Sequence, residues 1–299
     1  MSGSMKVSST AADVDVPRLL RLRRGTRVQI RSDGLIQVGC DPVRRALLPD
    51  TNAVRGTLHL LDRGARVSPA PGTDGVLAAL REAGVLLDPE TDRLLSEARS
   101  CTRVLLDVPE PWADSVSATV RTAGLTPVLR RRARTRRSEE HPTPDLTLRI
   151  EIGDGPQTTG TATAGRPAAS TGGSTGEDVP TLHLRVEDAR IRVGPFSSPG
   201  ATACPECVEM HLRDRDPHRP VLVPGPDRSL LPCGAGDVDE VDPVLLQFAL
   251  VTAVNDLRAW AEGHQPRTWS ATLWVERNLR TQQRAWSQHP RCGCSWSAG

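Results

Sequence analysis

Two cysteine pairs, Cys204-Pro205-Glu206-Cys207 and Cys292-Gly293-Cys294, sit at the two ends of one long segment. Four thiolates at such spacings can hold one Zn2+ in a tetrahedral shell. Cys-x2-Cys is a common half-site, whereas Cys-x-Cys demands a tight turn, which Gly293 eases. A structural zinc clasp over 204–294 would tie the end of the chain to a point far upstream and close a long loop. Disulfides or unconnected cysteines are the alternatives. Catalytic zinc is disfavoured, because four thiolates leave no position open for water.

Other residues of chemical interest are more isolated. His211 and His218 follow the first pair and could act as ligands or bases, but four thiols already complete a shell. Cys233 is a lone thiol in a Gly/Pro-rich stretch. The pattern yields no Ser-His-Asp, Cys-His or paired-carboxylate site. The strand expected at 103–108 runs into Pro109-Glu110-Pro111-Trp112. A nucleotide fold needs glycines there so that backbone N–H groups reach phosphate. Two prolines remove donors, and Glu110 and Asp114 repel phosphate.

The elements that must position these residues come from patterning. The chain has 299 residues, a length that suits two domains. Its formal charge of +2 gives no global pull toward nucleic acid. Seven cysteines, four of them in tight pairs, suit reduced ligands better than a disulfide framework. With 3% aromatic residues and no Tyr, the core must rest on Leu, Val and Ala. No secretory pattern opens the chain and no apolar run approaches the ~18 residues of a membrane span, so a cytoplasmic protein with no membrane partner is expected.

Residues 1–14 read as a disordered tail. Residues 15–95 read as one domain. Strands at 27–30 and 35–39 turn across Ser32-Asp33-Gly34. A helix at 53–61 follows, then a helix at 75–83 capped by Thr73 or Asp74, then a strand at 85–87. This order resembles a winged helix-turn-helix. The 75–83 helix carries a single base, Arg81, beside the apolar stripe Val76, Leu77, Leu80 and Ala83. A peptide groove or a purely structural role therefore outranks DNA recognition.

Residues 100–296 read as a second, α/β domain. A strand at 103–108, a helix at 113–123 and a strand at 125–129 form a β-α-β unit. Six arginines between 130 and 137 read as a solvated loop, and residues 130–180 as a flexible insertion with one short strand at 146–150. Strands at 182–186 and 190–193 pair across 187–189. Helices follow at 208–215 and 244–262, the latter started by Asp242-Pro243. A strand spans 268–275, and Trp286 and Trp296 flank the terminal cysteines.

Gly194-Pro-Phe-x-x-Pro-Gly200, Cys204-x2-Cys207 with the following Glu-Met-His-Leu-Arg-Asp-Arg-Asp-Pro, and His289-Pro-Arg-Cys-Gly-Cys294 resemble one family. It is that of the E1/ThiF-like partner proteins of azole-forming (TOMM/thiopeptide) peptide biosynthesis. The resemblance covers most of 15–110 and 180–296. It implies a winged-helix-like peptide recognition domain followed by a degenerate E1/ThiF-like Rossmann-type domain with a structural zinc site at Cys204, Cys207, Cys292 and Cys294. It implies that a precursor leader peptide adds to the third strand and packs on the last helix of the first domain, placed on Leu35, Ile36, Gln37, Val38 and Gly39 with Val76, Leu77, Leu80 and Arg81. The implied partner is a YcaO cyclodehydratase, which uses ATP to close Cys, Ser or Thr side chains into azolines. This chain would then be a noncatalytic adaptor, a homodimer, with no ATP of its own. An adenylating enzyme with an atypical pocket and a DNA-binding regulator are the competing readings.

Overall fold

The computed structural model describes residues 18–68, 70–129, 144–152, 179–187, 189–218 and 241–294. The expected tail, the arginine run, Cys233 and Trp296 lie outside them. Contacts divide the chain into two compact units after Leu95.

The first unit holds strands β1 (Arg18–Leu19), β2 (Arg21–Leu22), β3 (Val28–Ile30), β4 (Leu35–Val38) and β5 (Ala46–Pro49). Helix α1 (Asn52–Asp62), β6 (Arg66–Val67), helix α2 (Thr73–Glu82) and β7 (Leu86–Leu87) follow. Gly34, at φ +79°, makes the turn between β3 and β4, and Asp33 accepts from the Leu35 N–H. Thr51 caps α1 by accepting from the Val54 N–H. The second helix departs from expectation at its start. Gly72, at φ +105°, occupies the N-cap position without a side-chain bond, so Thr73 and Asp74 fall inside the first turn. Leu20, Ile36, Val38, Leu48, Leu58, Leu61, Leu77 and Leu80 fill the core.

A larger correction concerns the sheet. The sequence suggests a two-stranded hairpin, but β5 pairs antiparallel with β4, giving the order β3-β4-β5. Ala-Leu-Leu-Pro is too short for its period to be read, and Pro49-Asp50 mimics a loop. Residues 35–38 are therefore the middle strand, and the third strand is Ala46–Pro49.

Helix α3 (Pro89–Cys101) contains the division point, and Asp88 accepts from the N–H groups of Glu90 and Thr91 at its start. The second unit is built on one seven-stranded sheet. Its elements are β8 (Arg103–Asp107), α4 (Ala113–Thr122), β9 (Thr126–Leu129), β10 (Leu146–Ile152), β11 (Thr181–Glu187), β12 (Arg190–Ser197), α5 (Pro205–Arg215), α6 (Pro243–Ala261), β13 (Ala271–Val275) and β14 (Thr281–Ala285). The strand order is β14-β13-β12-β11-β10-β8-β9. From β9 to β11 the neighbours are parallel; from β11 to β14 they are antiparallel. Within the expected insertion, residues 146–152 form the seven-residue strand β10, which lies inside the sheet between β8 and β11.

One face of the sheet is apolar, through Val104, Leu106, Leu148, Leu182, Leu184 and Val193, and shares its core with α4 and α6. Asp242 caps α6 by accepting from the Val244 and Leu245 N–H groups, as its Asp-Pro start suggests. Toward its C-terminal end, buried Asp256 accepts from the N–H groups of Arg267 and Thr268 and from the Thr268 hydroxyl, fixing the entry to β13. Gly194 sits where β12 passes closest to that entry. Its φ is +94°, and an added Cβ would lie 2.4 Å from the Ala271 carbonyl oxygen. Gly194→Ala should therefore cost about 3 kcal/mol of stability, from strain and overpacking together. Denaturant titration checks this; an unchanged midpoint would show that β12 and β13 can part freely.

Candidate functional site

The four cysteines predicted as ligands come together in the second unit. Cys204 is the N-cap of α5, Pro205 starts the helix and Cys207 lies in its first turn. Cys292 and Cys294 arrive on the segment after β14. The Sγ atoms of Cys204 and Cys207 are 3.7 Å apart, those of Cys204 and Cys292 3.6 Å, and those of Cys207 and Cys294 3.3 Å. A tetrahedral shell with metal–sulfur bonds of ~2.3 Å sets sulfurs ~3.8 Å apart, so the cluster could hold one metal ion with modest expansion.

His289 organises the approach to this cluster. Its N–H donates to Cys207 Sγ at 3.3 Å, and its carbonyl accepts from the Cys292 N–H, closing a turn with Pro290 at its second place. The ring is buried and fully used. Nδ1 accepts from the Arg291 N–H at 3.1 Å, so the proton resides on Nε2, which donates to Asp214 on α5 at 2.8 Å. Although His211, Asp214 and His289 lie close enough to suggest a second cation site, His289 has no lone pair left for a metal. His211 gives its Nε2 to the Ser287 carbonyl, and His218 is exposed. Neither histidine joins the thiols.

Burial raises the Cys204 and Cys294 thiols, Cys294 to about 12. Cys207 moves the other way. Burial acts to raise it, but the donors from His289 and its thiol neighbours outweigh that, and it is lowered. A divalent cation bound among these sulfurs would favour their thiolate forms.

Helix α5 is held to the sheet by buried charges. Arg185 and Arg192 face each other across β11 and β12, a repulsive cross-strand pair on its own. Glu187 and Glu209 lie between them. Arg192 approaches Glu209 at 3.2 Å and Glu187 at 3.4 Å; Arg185 approaches the same two at 3.8 and 3.9 Å. Glu209 belongs to α5, so this ring and the thiols fix the same helix.

Level with the end of β8, a line of polar groups crosses β8, β10, β11 and β12. Arg149 Nε donates to Asp107 at 3.0 Å, and His183 Nε2 meets Ser197 Oγ at 3.1 Å. Burial first, then Arg149 and Arg192, push His183 down to about 3, so it is neutral at ordinary pH. The chain leaves β8 through a 3-10 turn, Glu110–Trp112, and Trp112 joins the core that α4 and α6 share with the sheet.

The residues expected to meet a peptide fall mostly in the core of the first unit. Ile36, Val38, Val76, Leu77 and Leu80 are 4% exposed or less. Gly39 is buried, Leu35 and Gln37 are half-buried, and Arg81 is exposed. β4 is bonded on both edges, so no strand can add to it. β5 has an unpaired edge in the described residues. Arg31 donates to the Leu35 carbonyl, and Gly39 to that of Arg27. Alternation then points Leu47's own N–H and C=O away from β4. Its side chain is 41% exposed, and α2 packs beside the strand.

Comparison with known proteins sets these sites in a fold. No protein-family model matches the chain, and no curated protein does. Solved structures do. A heterocyclase in complex with substrate and cofactor superposes at a TM-score of 0.57 and 15% identity, over 94% of this chain and 40% of its own. The heterocyclase TruD gives 0.53 and 16%, over 93% and 43%. E. coli MccB with MccA-N7isoASN gives 0.53 and 9%, over 92% and 99%. The chain has the fold of these proteins. It spans about two fifths of the heterocyclases' length and nearly all of MccB's. Among the described residues, no helix is long and apolar enough to cross a membrane.

Proposed function

We propose that this chain is a noncatalytic, zinc-stabilised adaptor for the maturation of a ribosomally made peptide. It binds the precursor's leader through its first unit and presents the core to a YcaO cyclodehydratase. The observation that carries the noncatalytic reading is the exit from β8. An open α/β sheet binds phosphate where glycines let helix N–H groups reach it. Here that place holds Pro109, Glu110, Pro111 and the buried Trp112, with no side chain capping α4. At the end of β8 itself, Asp107 is paired with Arg149 of β10. The fold shared with heterocyclases and with MccB supports peptide maturation as the setting.

The leader adds as a strand to the outer edge of Ala46–Pro49, not to 35–39. The outward N–H and C=O of Leu47 supply main-chain bonds, and the surface between β5 and α2 receives alternate side chains. Leu47→Pro removes the outward N–H but no bond to β4, and an edge strand tolerates it. Titration of a fluorescent leader peptide, taken from precursor genes adjacent to this one, should show saturable binding that weakens about thirtyfold in the variant. No saturable binding to the unaltered protein at tens of micromolar would sink the peptide reading. MccB also crystallises with AMPCPP, which keeps an adenylating enzyme as the second reading. Saturable ATP binding or pyrophosphate exchange by the purified chain would favour it.

The thiol cluster is assigned zinc because four sulfur donors in a closed shell suit that ion. Its role is to hold the end of the chain onto α5 and the sheet.

A further inference from the structure

Trp286, beside the thiol cluster, gathers cations. The Arg284 guanidinium carbon lies 4.6 Å from the ring centroid and that of Arg215 lies 5.4 Å away. His211 stacks on the same ring at 6.0 Å. The indole is itself fixed: Nε1 donates to Thr272 Oγ1 at 2.8 Å, and the residue is 6% exposed.

The nearby cations are matched. Arg291 pairs with Asp214, Arg213 with Glu206 and Arg192 with Glu209. Arg215 and Arg284 are different: among the described residues, neither makes an ion pair, although one indole draws them together. Two like charges so placed repel. If the only need were to cover an indole, a Met or Leu side chain would meet it without that repulsion. A guanidinium over a ring also keeps its N–H edge free for an outside acceptor. Arg215 ends α5 and Arg284 lies on β14, so the fold sets their spacing before any partner arrives.

We infer that Arg215 and Arg284, held over Trp286, form a docking site for an acidic segment of a protein partner, with carboxylates accepting from both guanidiniums. Exposed Asp214, Asp216 and Glu206 on and beside α5 interrupt the positive surface. A continuous phosphate backbone would meet them, whereas a short run of carboxylates bridges two points. The site is independent of the peptide edge proposed for the first unit and of its ligand.

The test uses the full chain and a fluorescein-labelled hexaglutamate peptide bearing a benzophenone, in about 100 mM salt. Saturable binding is expected, with cross-links within residues 205–215 or 281–287. Affinity should fall about tenfold in R215M/R284M, which keeps the aliphatic cover, and stay within about twofold in R280M. The thermal midpoint of R215M/R284M should match that of the unaltered chain. If it drops, R284Q alone must still weaken binding about threefold. Absent binding, cross-links elsewhere, or full affinity in the charge-removed variants would overturn the site. Duplex DNA that binds more tightly than the peptide, and is lost in R215M/R284M, would replace the acidic partner with nucleic acid.

Discussion

Cys292→Ser should release the metal and lower the melting temperature of the second unit by about 10–20 °C. The size follows from the geometry. Cys292 and Cys294 bring the segment after β14 to Cys204 and Cys207, and loss of one thiol opens the four-sulfur shell. Structural zinc is worth ~10–16 kcal/mol in small peptides. In a unit with its own sheet and core the apparent loss is smaller, on the order of 5 kcal/mol, and ~1 kcal/mol shifts the midpoint of a domain this size by ~2–4 °C. Elemental analysis should find one zinc per chain in the unaltered protein and none in the variant. Cys40→Ser, at an exposed cysteine in the first unit, should change neither quantity. A folded, metal-free protein with an unchanged midpoint would refute the clasp.

Glu209→Ala should cost about 3 kcal/mol, because it removes one of the two carboxylates shared by two buried cations. Arg192 is 4% exposed at its side chain and Arg185 11%, and they face each other across the strands. Taking Glu209 away leaves Glu187 to serve both. Replacing the pair instead, as in E209L/R192M, should recover much of the loss, since matched apolar residues suffer no comparable desolvation. Because Glu209 lies on the helix that begins with Cys204 and Cys207, the single variant should also bind zinc more weakly. Denaturant titration with metal competition reads both effects. A loss below about 1 kcal/mol would show that solvent already screens the ring.

Local pattern carried much of this molecule. Alternation placed β11, β12 and β13, an apolar run placed β8, and Asp242-Pro243 set the start of α6. Where it failed, the deciding interaction was distant in sequence. Residues 46–49 are a strand because β4 offers them an edge. Residues 146–152 are central because β8 and β11 flank them. Thr73 and Asp74 look like caps, yet Gly72 turns the chain one place earlier. His289 stands in the sequence only as the first residue of the terminal motif; folding brings Asp214 and Cys207 to it.

The four cysteines were legible because metal chemistry restricts both residue type and spacing, and a closed shell can be counted without knowing the fold. The Pro-Glu-Pro-Trp exit from β8 was legible for a similar reason, since proline has no N–H and phosphate binding needs one. Two matters were decided by tertiary structure alone: which strand edge stays open, and which cations meet. Strand order depends on pairings between distant segments, so 35–39 is paired on both sides and 46–49 lies at an edge. Arg215 and Arg284 are far apart in the chain, and their shared indole exists only once α5 and β14 have been brought together.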